Sequence, residues 1–425
     1  MEQKYIDDTD ALLSFIRKSP SCFHVVENVR ETLSDAGFEE LDETERFSVK
    51  PGHSYYVVRG GSAIIAFRIP SSCTPSFSLV AAHTDSPTFK VKENPEITGQ
   101  YTTLNVEGYG GMLMAPWFDR PLSIAGRAFV REEDGSLTTH LVDLDRDLVS
   151  IVDLCIHMNR KANDGIAYKI QKDLFPIIAV GSKPALLKRL VAEKLGVQEG
   201  QVIDSDLFLY NRMSGSIWGY DDAFFSSPKI DDLQCAFSAV QALVHAKEGR
   251  TIQVVSLFDN EEVGSGSRVG ALGDFLSVTL DRIGTSLGWD GEEKHCAQAR
   301  SYLLSADNGH AAHPNYPEVC DATNKPVVNG GVLIKYAANQ KYTTNGASGA
   351  FLKNLLGKNG IPCQDFQNNS NIPGGSTLGN LANQHYSIPS IDIGAAQLAM
   401  HSPYETGGTK DTSYLKECMS VFLER

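Results

Sequence analysis

Five short segments of this 425-residue chain place histidine or carboxylate side chains directly after an apolar run. They are His83 and Asp85 in AAHTDSP, Asp231 in SPKIDDL, Glu261 and Glu262 in FDNEEVGSGS, Asp307 in SADNGHAAHP, and His401 in LAMHSPYE. Imidazole and carboxylate together suit zinc, manganese or cobalt. One carboxylate can bridge two ions ~3.5–4 Å apart, which clamps and activates a hydrolytic water. Each segment alone is a weak signal. A lone His or Asp at a strand end is usually a cap or a solvated loop residue, and a pair such as Glu261 and Glu262 is more often a solvated face. The weight lies in the ordered set of His, Asp, Glu-Glu, Asp and His. His24, His53, His140, His245, His295 and His385 have no such setting and read as surface or packing residues. His313 is less easily set aside, because it lies three residues from His310.

A sheet must position these groups. HSYYVVRGG, SAIIAFRIP and FSLVAAHTD read as strands, the last as a buried central strand whose C-terminal end carries a site. DDLQCAFSAVQALVHAKE has apolar residues at Leu233, Ala236, Phe237, Val240, Leu243 and Val244, the spacing of a helix. TIQVVSLFDNEEVGSGS, SYLLSADNGH, GVLIKY and IPSIDIGAAQLAMHS are further apolar runs that end in polar residues, and TKDTSYLKECMSVFLER reads as a closing helix. Near the start, Asp10 is expected to cap ALLSFIRKS, and ENVRETLSDAGF to end at Gly37. Strands alternating with helices imply an α/β sheet covered on both faces, with strand ends converging on one crevice. From about Lys92 to Ser227 the texture changes to short strand-like pieces, glycines and charge clusters such as REEDGS and DLDRD. The expected organisation is a catalytic domain formed by 1–91 and 228–425, with 92–227 inserted as a second, mainly β domain. A chain of this length exceeds what one hydrophobic core usually serves.

Composition narrows the partners. A formal net charge of -14 argues against nucleic acid, whose phosphates need clustered Lys and Arg. The eight cysteines form no C-x-x-C pair, so neither a disulfide framework nor a thiolate zinc site is expected, and reduced thiols fit a cytoplasmic enzyme. The acidic N-terminus MEQKYIDDTDALLSF lacks the apolar core of a signal peptide, and no apolar run approaches ~20 residues, so no membrane partner is expected.

With these segments the chain resembles the aspartyl aminopeptidases, a family of dinuclear zinc exopeptidases, over nearly its whole length. The resemblance is carried by AAHTDSP, YGGMLMAPWFDRPLSIAGR, a helix-flanked IHMNR, SPKIDDL, FDNEEVGSGS, SADNGHAAHPNYPE, IKYAANQKYTTN, PGGSTLGN and IGAAQLAMHS. Two positions depart from that pattern. Asp232 stands where the family usually has Asn, and Asn308 stands where it often has Met. Neither removes a ligand.

The resemblance implies two divalent metal ions per subunit, zinc first and manganese or cobalt as alternatives. One would take His83, Asp231 and Asp307, the other Asp231, Glu262 and His401. Asp85 would fix the tautomer of His83. Glu261 would be the general base, since a carboxylate ligated to a cation loses basicity. His310, Lys335 and Tyr342 would recognise the substrate, with Lys335 meeting an acidic side chain. His157 would reach a neighbouring subunit's site, in a homo-oligomer built from dimers, commonly a dodecamer. Without the resemblance His157 reads as a buried helix histidine and Lys335 as a lysine snorkelling from a strand end. The implied activity is release of an N-terminal Asp or Glu from peptides. The competing expectations are an apolar, Leu-type preference, a metal-dependent deacylase, and a catalytically silent assembly scaffold.

Overall fold

The computed structural model describes residues 1–425. Every residue of strand Phe77–His83 is buried. Val80 and Ala82 join one apolar cluster, while Phe77, Leu79 and Ala81 join another. Strand Ile252–Phe258 divides in the same way, with Val255 and Leu257 on one side and Ile252, Val254 and Phe258 on the other. Side chains alternate across a strand, so two apolar faces must be covered by two layers. Helices Gln3–Lys18, Cys22–Asp35, Ile230–His245, Gly346–Lys358 and Asp411–Leu423 cover the first face, and Phe275–Ser286 with Leu378–Ala382 the second. This is the expected α/β architecture.

The sheet has nine strands, in the order Glu39–Glu40, Ser54–Arg59, Ala63–Arg68, Ile252–Phe258, Phe77–His83, Tyr302–Ala306, Ser390–Gly394, Val332–Lys335 and Cys363–Phe366. Four neighbours at its centre, Ile252–Phe258, Phe77–His83, Tyr302–Ala306 and Ser390–Gly394, are mutually parallel. Their carboxyl ends therefore share one edge. Val332–Lys335 runs antiparallel to Ser390–Gly394 and pairs Lys335 with Asp392. Lys335 thus sits level with Ser305 and reaches the ligand-bearing edge only by the length of its side chain.

A second sheet of six antiparallel strands follows the order Leu137–Asp143, Leu122–Arg131, Val202–Asn211, Thr88–Ile97, Tyr101–Tyr109 and Ile177–Val180. It has its own core of 18 buried residues. It begins at Thr88 and its last strand ends at Asn211. The next two strands, Ser216–Trp218 and Phe224–Ser227, join a third sheet with Glu405–Gly408, Ala396–Leu398 and Gly309–His310. That small sheet ties the returning chain to the His401 segment.

Two local expectations are corrected. Asp10 does not start a helix; it lies within Gln3–Lys18, which begins at Gln3 because the preceding turn also packs, Tyr5 lying edge-on to Tyr414 at 5.7 Å. IHMNR is not helical and His157 is not buried. The segment is an exposed turn in which the amides of Met158 and Asn159 donate to the carbonyl of Cys155. With Asn159, Asn163, Asp164 and Gly165 close behind, this stretch favours turns over a continued helix. No helix is long and apolar enough to cross a membrane.

Candidate metal centre

The expected ligands meet at the carboxyl edge of the central strands. His83 closes Phe77–His83 and is 1% exposed. Its Nδ1 lies 3.0 Å from the carbonyl oxygen of Asp85 and 3.3 Å from that residue's Oδ1. This leaves Nε2 facing Asp231, 3.6 Å from Oδ1. The other oxygen of Asp231, Oδ2, lies 3.4 Å from Nε2 of His401, and the same nitrogen is 3.5 Å from Oε2 of Glu262. Asp231 therefore stands between two histidines with one oxygen toward each. Donor atoms of His83, Asp231, Asp232 and Asp307 gather in one group, and those of Asp231, Glu262 and His401 in another. A third gathering joins His83 with Glu261 and Glu262.

Electrostatics fit a cation. Burial pushes the Glu261 carboxyl up to about 8 and Asp307 to about 6, with neighbouring carboxylates adding to the rise. Burial likewise raises Glu262 and Asp232. Burial opposes charge on His83, but Asp232, Asp231 and Asp85 outweigh it and hold the imidazole well above its ordinary range. Burial also opposes charge on Asp231, yet His401 and His83 outweigh it and hold that carboxyl low. Oδ1 of Asp231, Oδ1 of Asp232 and Oε1 of Glu262 are buried without a hydrogen-bond partner. Orphaned buried carboxylate oxygens are costly unless a cation meets them. The donor set of imidazole and carboxylate oxygen is one that zinc accepts.

The remaining expected residues divide. Lys335 is 1% exposed; its Nζ donates to the carbonyl of Asn308 at 2.9 Å and lies 3.3 Å from Oδ2 of Asp307. Burial opposes its charge, but Asp307 prevails and raises it. The same nitrogen sits 5.3 Å over the ring of Tyr342. Tyr342 packs on Phe366 with centroids 6.1 Å apart, and His310 approaches Phe366 at 6.3 Å. Lys335 thus touches Asp307, Tyr342 packs on Lys335 and Phe366, and His310 lies near Phe366. His157, on its exposed turn, joins none of these contacts.

The model of the aminopeptidase I zinc metalloprotease family (M18) matches residues 15–423. The chain belongs to the M18 family. A "Probable M18 family aminopeptidase 2" of Clostridium novyi (strain NT) is 41% identical over 422 residues, 97% of either chain. Among solved structures, that of the Ape4 and Nbr1 complex superposes with a TM-score of 0.96 at 34% identity, over 99% of this chain and 86% of the other. The S. cerevisiae mApe1 dodecamer superposes with 0.87 at 27% identity, over 99% and 97%. This M18 chain is therefore an aminopeptidase of a zinc metalloprotease family.

Sequence reasoning gave no role to several residues around this candidate centre. Glu405 accepts the amides of Asp231 at 3.0 Å and His401 at 2.7 Å, so one buried carboxylate orients two expected ligands. Burial pushes it up to about 8. Asp232 accepts the amide of His83 at 3.1 Å. Asn308 donates to Ile230, Gln234 and Gln397 and accepts from Ala395, locking the Asp307 turn against helix Ile230–His245 and the third sheet. With Sγ of Cys235 also donating to its oxygen, five polar contacts explain an amide at this buried position. Glu405 stands four residues beyond His401, and that spacing was the only signal available.

Proposed function

We propose that this M18 aminopeptidase works with two divalent ions, zinc in the first place, and removes acidic N-terminal residues from peptides. The observation that carries the two-ion reading is Asp231, whose two oxygens face His83 and His401 on opposite sides. His83, Asp231 and Asp307 would hold one ion, and Asp231, Glu262 and His401 the other. Bound ions would supply Lewis acidity to the scissile carbonyl and acidity to a water. Glu261, beside the ligand Glu262, takes a proton from the attacking water and passes it to the departing amine. Asp85 holds Nδ1 of His83, so that Nε2 is the free donor.

Support for acidic preference is the buried cation Lys335 beside Tyr342, since a buried carboxylate needs a partner. An apolar preference is the second reading, favoured by the ion pair that already occupies Lys335 and by the packing of Tyr342 on Phe366. We read the second sheet as the inserted assembly domain. Its last three strands in sheet order, Thr88–Ile97, Tyr101–Tyr109 and the edge strand Ile177–Val180, expose Ile97, Tyr101 and Val180, the last 77% exposed, apolar surface suited to a second copy of the chain. The dodecamer formed by S. cerevisiae mApe1 supports a like assembly here. Eight free cysteines suit a reducing cytoplasm.

A panel of amino-acid amides carrying Asp, Glu, Leu and Lys, run with and without a chelator, tests these readings. The expected result is chelator-sensitive turnover with the highest kcat/KM on Asp and Glu. Higher kcat/KM on Leu would replace the acidic preference by the apolar one. Turnover unaffected by complete metal removal would overturn the two-ion mechanism.

A further inference from the structure

We propose that Tyr109, carried by the second sheet, is a positioning residue for the hydrolytic reaction, acting through Asp85 on the Glu261–Glu262 pair. The proposal rests on the two-ion reading above. Tyr109 is the last residue of strand Tyr101–Tyr109. Its hydroxyl crosses to the catalytic sheet and donates to Oδ2 of Asp85 at 2.7 Å. The Tyr109 hydroxyl oxygen in turn accepts from Nδ2 of Asn260 at 2.9 Å. The hydroxyl is thus fixed in both its roles, as donor and as acceptor. Its ring stands edge-on to Phe208 with centroids 5.6 Å apart, so the second sheet also fixes the ring plane.

Asp85 passes this constraint on. Its carboxylate accepts the amide of Glu261 at Oδ1 and that of Glu262 at Oδ2, each at 3.2 Å. Three donors on a buried carboxylate leave it little freedom, and through it the backbone of the adjacent glutamates is held in place. The next residues of the same loop grip the site directly. Gly110 has φ +77, and a Cβ there would lie 3.0 Å from Cβ of Glu262. The amide of Leu113 donates to the carbonyl of His401 at 3.1 Å. One short segment leaving the second sheet therefore touches both Glu262 and His401, the two ligands proposed for one ion alone. Residues that orient ligands in this way typically matter ~10- to 100-fold for metal affinity or activity.

Tyr109→Phe removes the hydroxyl and keeps the ring. The expected result is a kcat about 10- to 100-fold lower with KM nearly unchanged, and a weaker hold on one ion of the two. Titration of the purified protein with zinc against a chromogenic chelator reads that hold without any turnover. The ion lost should be the one that Glu262→Gln also loosens. A residue that only packs would not single out one ion. In an Asp85→Asn background, Tyr109→Phe should add little, because contacts in one chain of hydrogen bonds do not sum. Wild-type kcat and wild-type affinity for both ions in Tyr109→Phe would overturn the proposal, as would a full additional loss in the Asp85→Asn background. Should Tyr109→Phe fail to fold, Asn260→Gly replaces it. Glycine accepts the left-handed backbone at φ 62, and its loss of the Nδ2 donor should give a smaller effect of the same kind. No change in zinc hold or kcat there would count against the proposal. A wild-type enzyme without chelator-sensitive activity would overturn the two-ion reading instead, and the zinc titration would still decide Tyr109.

Discussion

Glu261 and Glu262 are adjacent in sequence, and both amides bond to Asp85, yet their side chains have different neighbours. Glu262 lies 3.5 Å from Nε2 of His401, whereas Glu261 has no such partner there. Glu261→Gln is therefore expected to keep the metals and to lose ~10²–10⁴-fold in kcat, the usual worth of a general base. Glu262→Gln should release one ion. Metal analysis beside kcat checks both, and near-wild-type turnover in Glu261→Gln would remove its assignment. Lys335 is the other decisive residue. At the end of its apolar strand, its ammonium pairs with Asp307, a proposed ligand. If Lys335 also meets the substrate carboxylate as proposed, removing that partner of a buried pair costs about 3–5 kcal/mol, roughly 10²- to 10³-fold or more in rate at ~1.36 kcal/mol per decade. Lys335→Met is expected to lose Asp amides by that factor and to gain relatively on Leu amides. If both substrates and the metal content fall together, Lys335 serves Asp307 rather than the substrate.

Among the elements, helix Cys22–Asp35 carries a half-buried histidine, His24, apart from the ligand cluster. Nδ1 of His24 lies 2.8 Å from Oγ of Ser21, the residue that precedes the helix. Burial, with Lys229 adding to it, pushes His24 down to about 4. An unfolded chain would take up the proton near ~6.5. The unfolded state thus binds the proton first, and stability present above ~6.5 is lost as pH falls toward 4. The loss is on the order of 3 kcal/mol at most, since each pKa unit is worth ~1.36 kcal/mol. His24→Gln should therefore show a smaller drop in Tm than the wild type between about pH 7 and pH 4.5. Parallel melting curves would refute this.

For the whole molecule, the question is whether one subunit suffices. His157 lies on an exposed turn of the segment between strands Leu137–Asp143 and Ile177–Val180, apart from every candidate ligand. If it completes a neighbour's site, activity requires assembly. Mixed oligomers of His157→Ala and Glu261→Gln subunits should then recover activity, since one pairing unites an intact base with an intact histidine. Proven mixed assembly without recovery would leave His157 outside the reaction.

The sequence by itself determined where the main strands lie along the chain and which residue types stand at their ends, because both are local. The buried run of Phe77–His83 ends at His83, and that of Ile252–Phe258 ends just before Glu261 and Glu262; a strand end places the next side chain at a sheet edge whatever the rest of the chain does. The helical spacing of Leu233, Ala236, Phe237, Val240 and Leu243 was legible for the same reason, and all five are buried in helix Ile230–His245. Asp10 shows the limit: a good capping residue lost to packing of the turn before it, including Tyr5 on Tyr414. Only the tertiary structure decided which carboxylates answer which donors. Tyr109 and Asp85 are 24 positions apart, Asp231 and Glu405 are 174 apart, and Lys335 reaches Asp307 from a strand whose direction no spacing reveals. Hydrogen bonds and ion pairs act over a few ångströms in space, and chain separation carries no record of them.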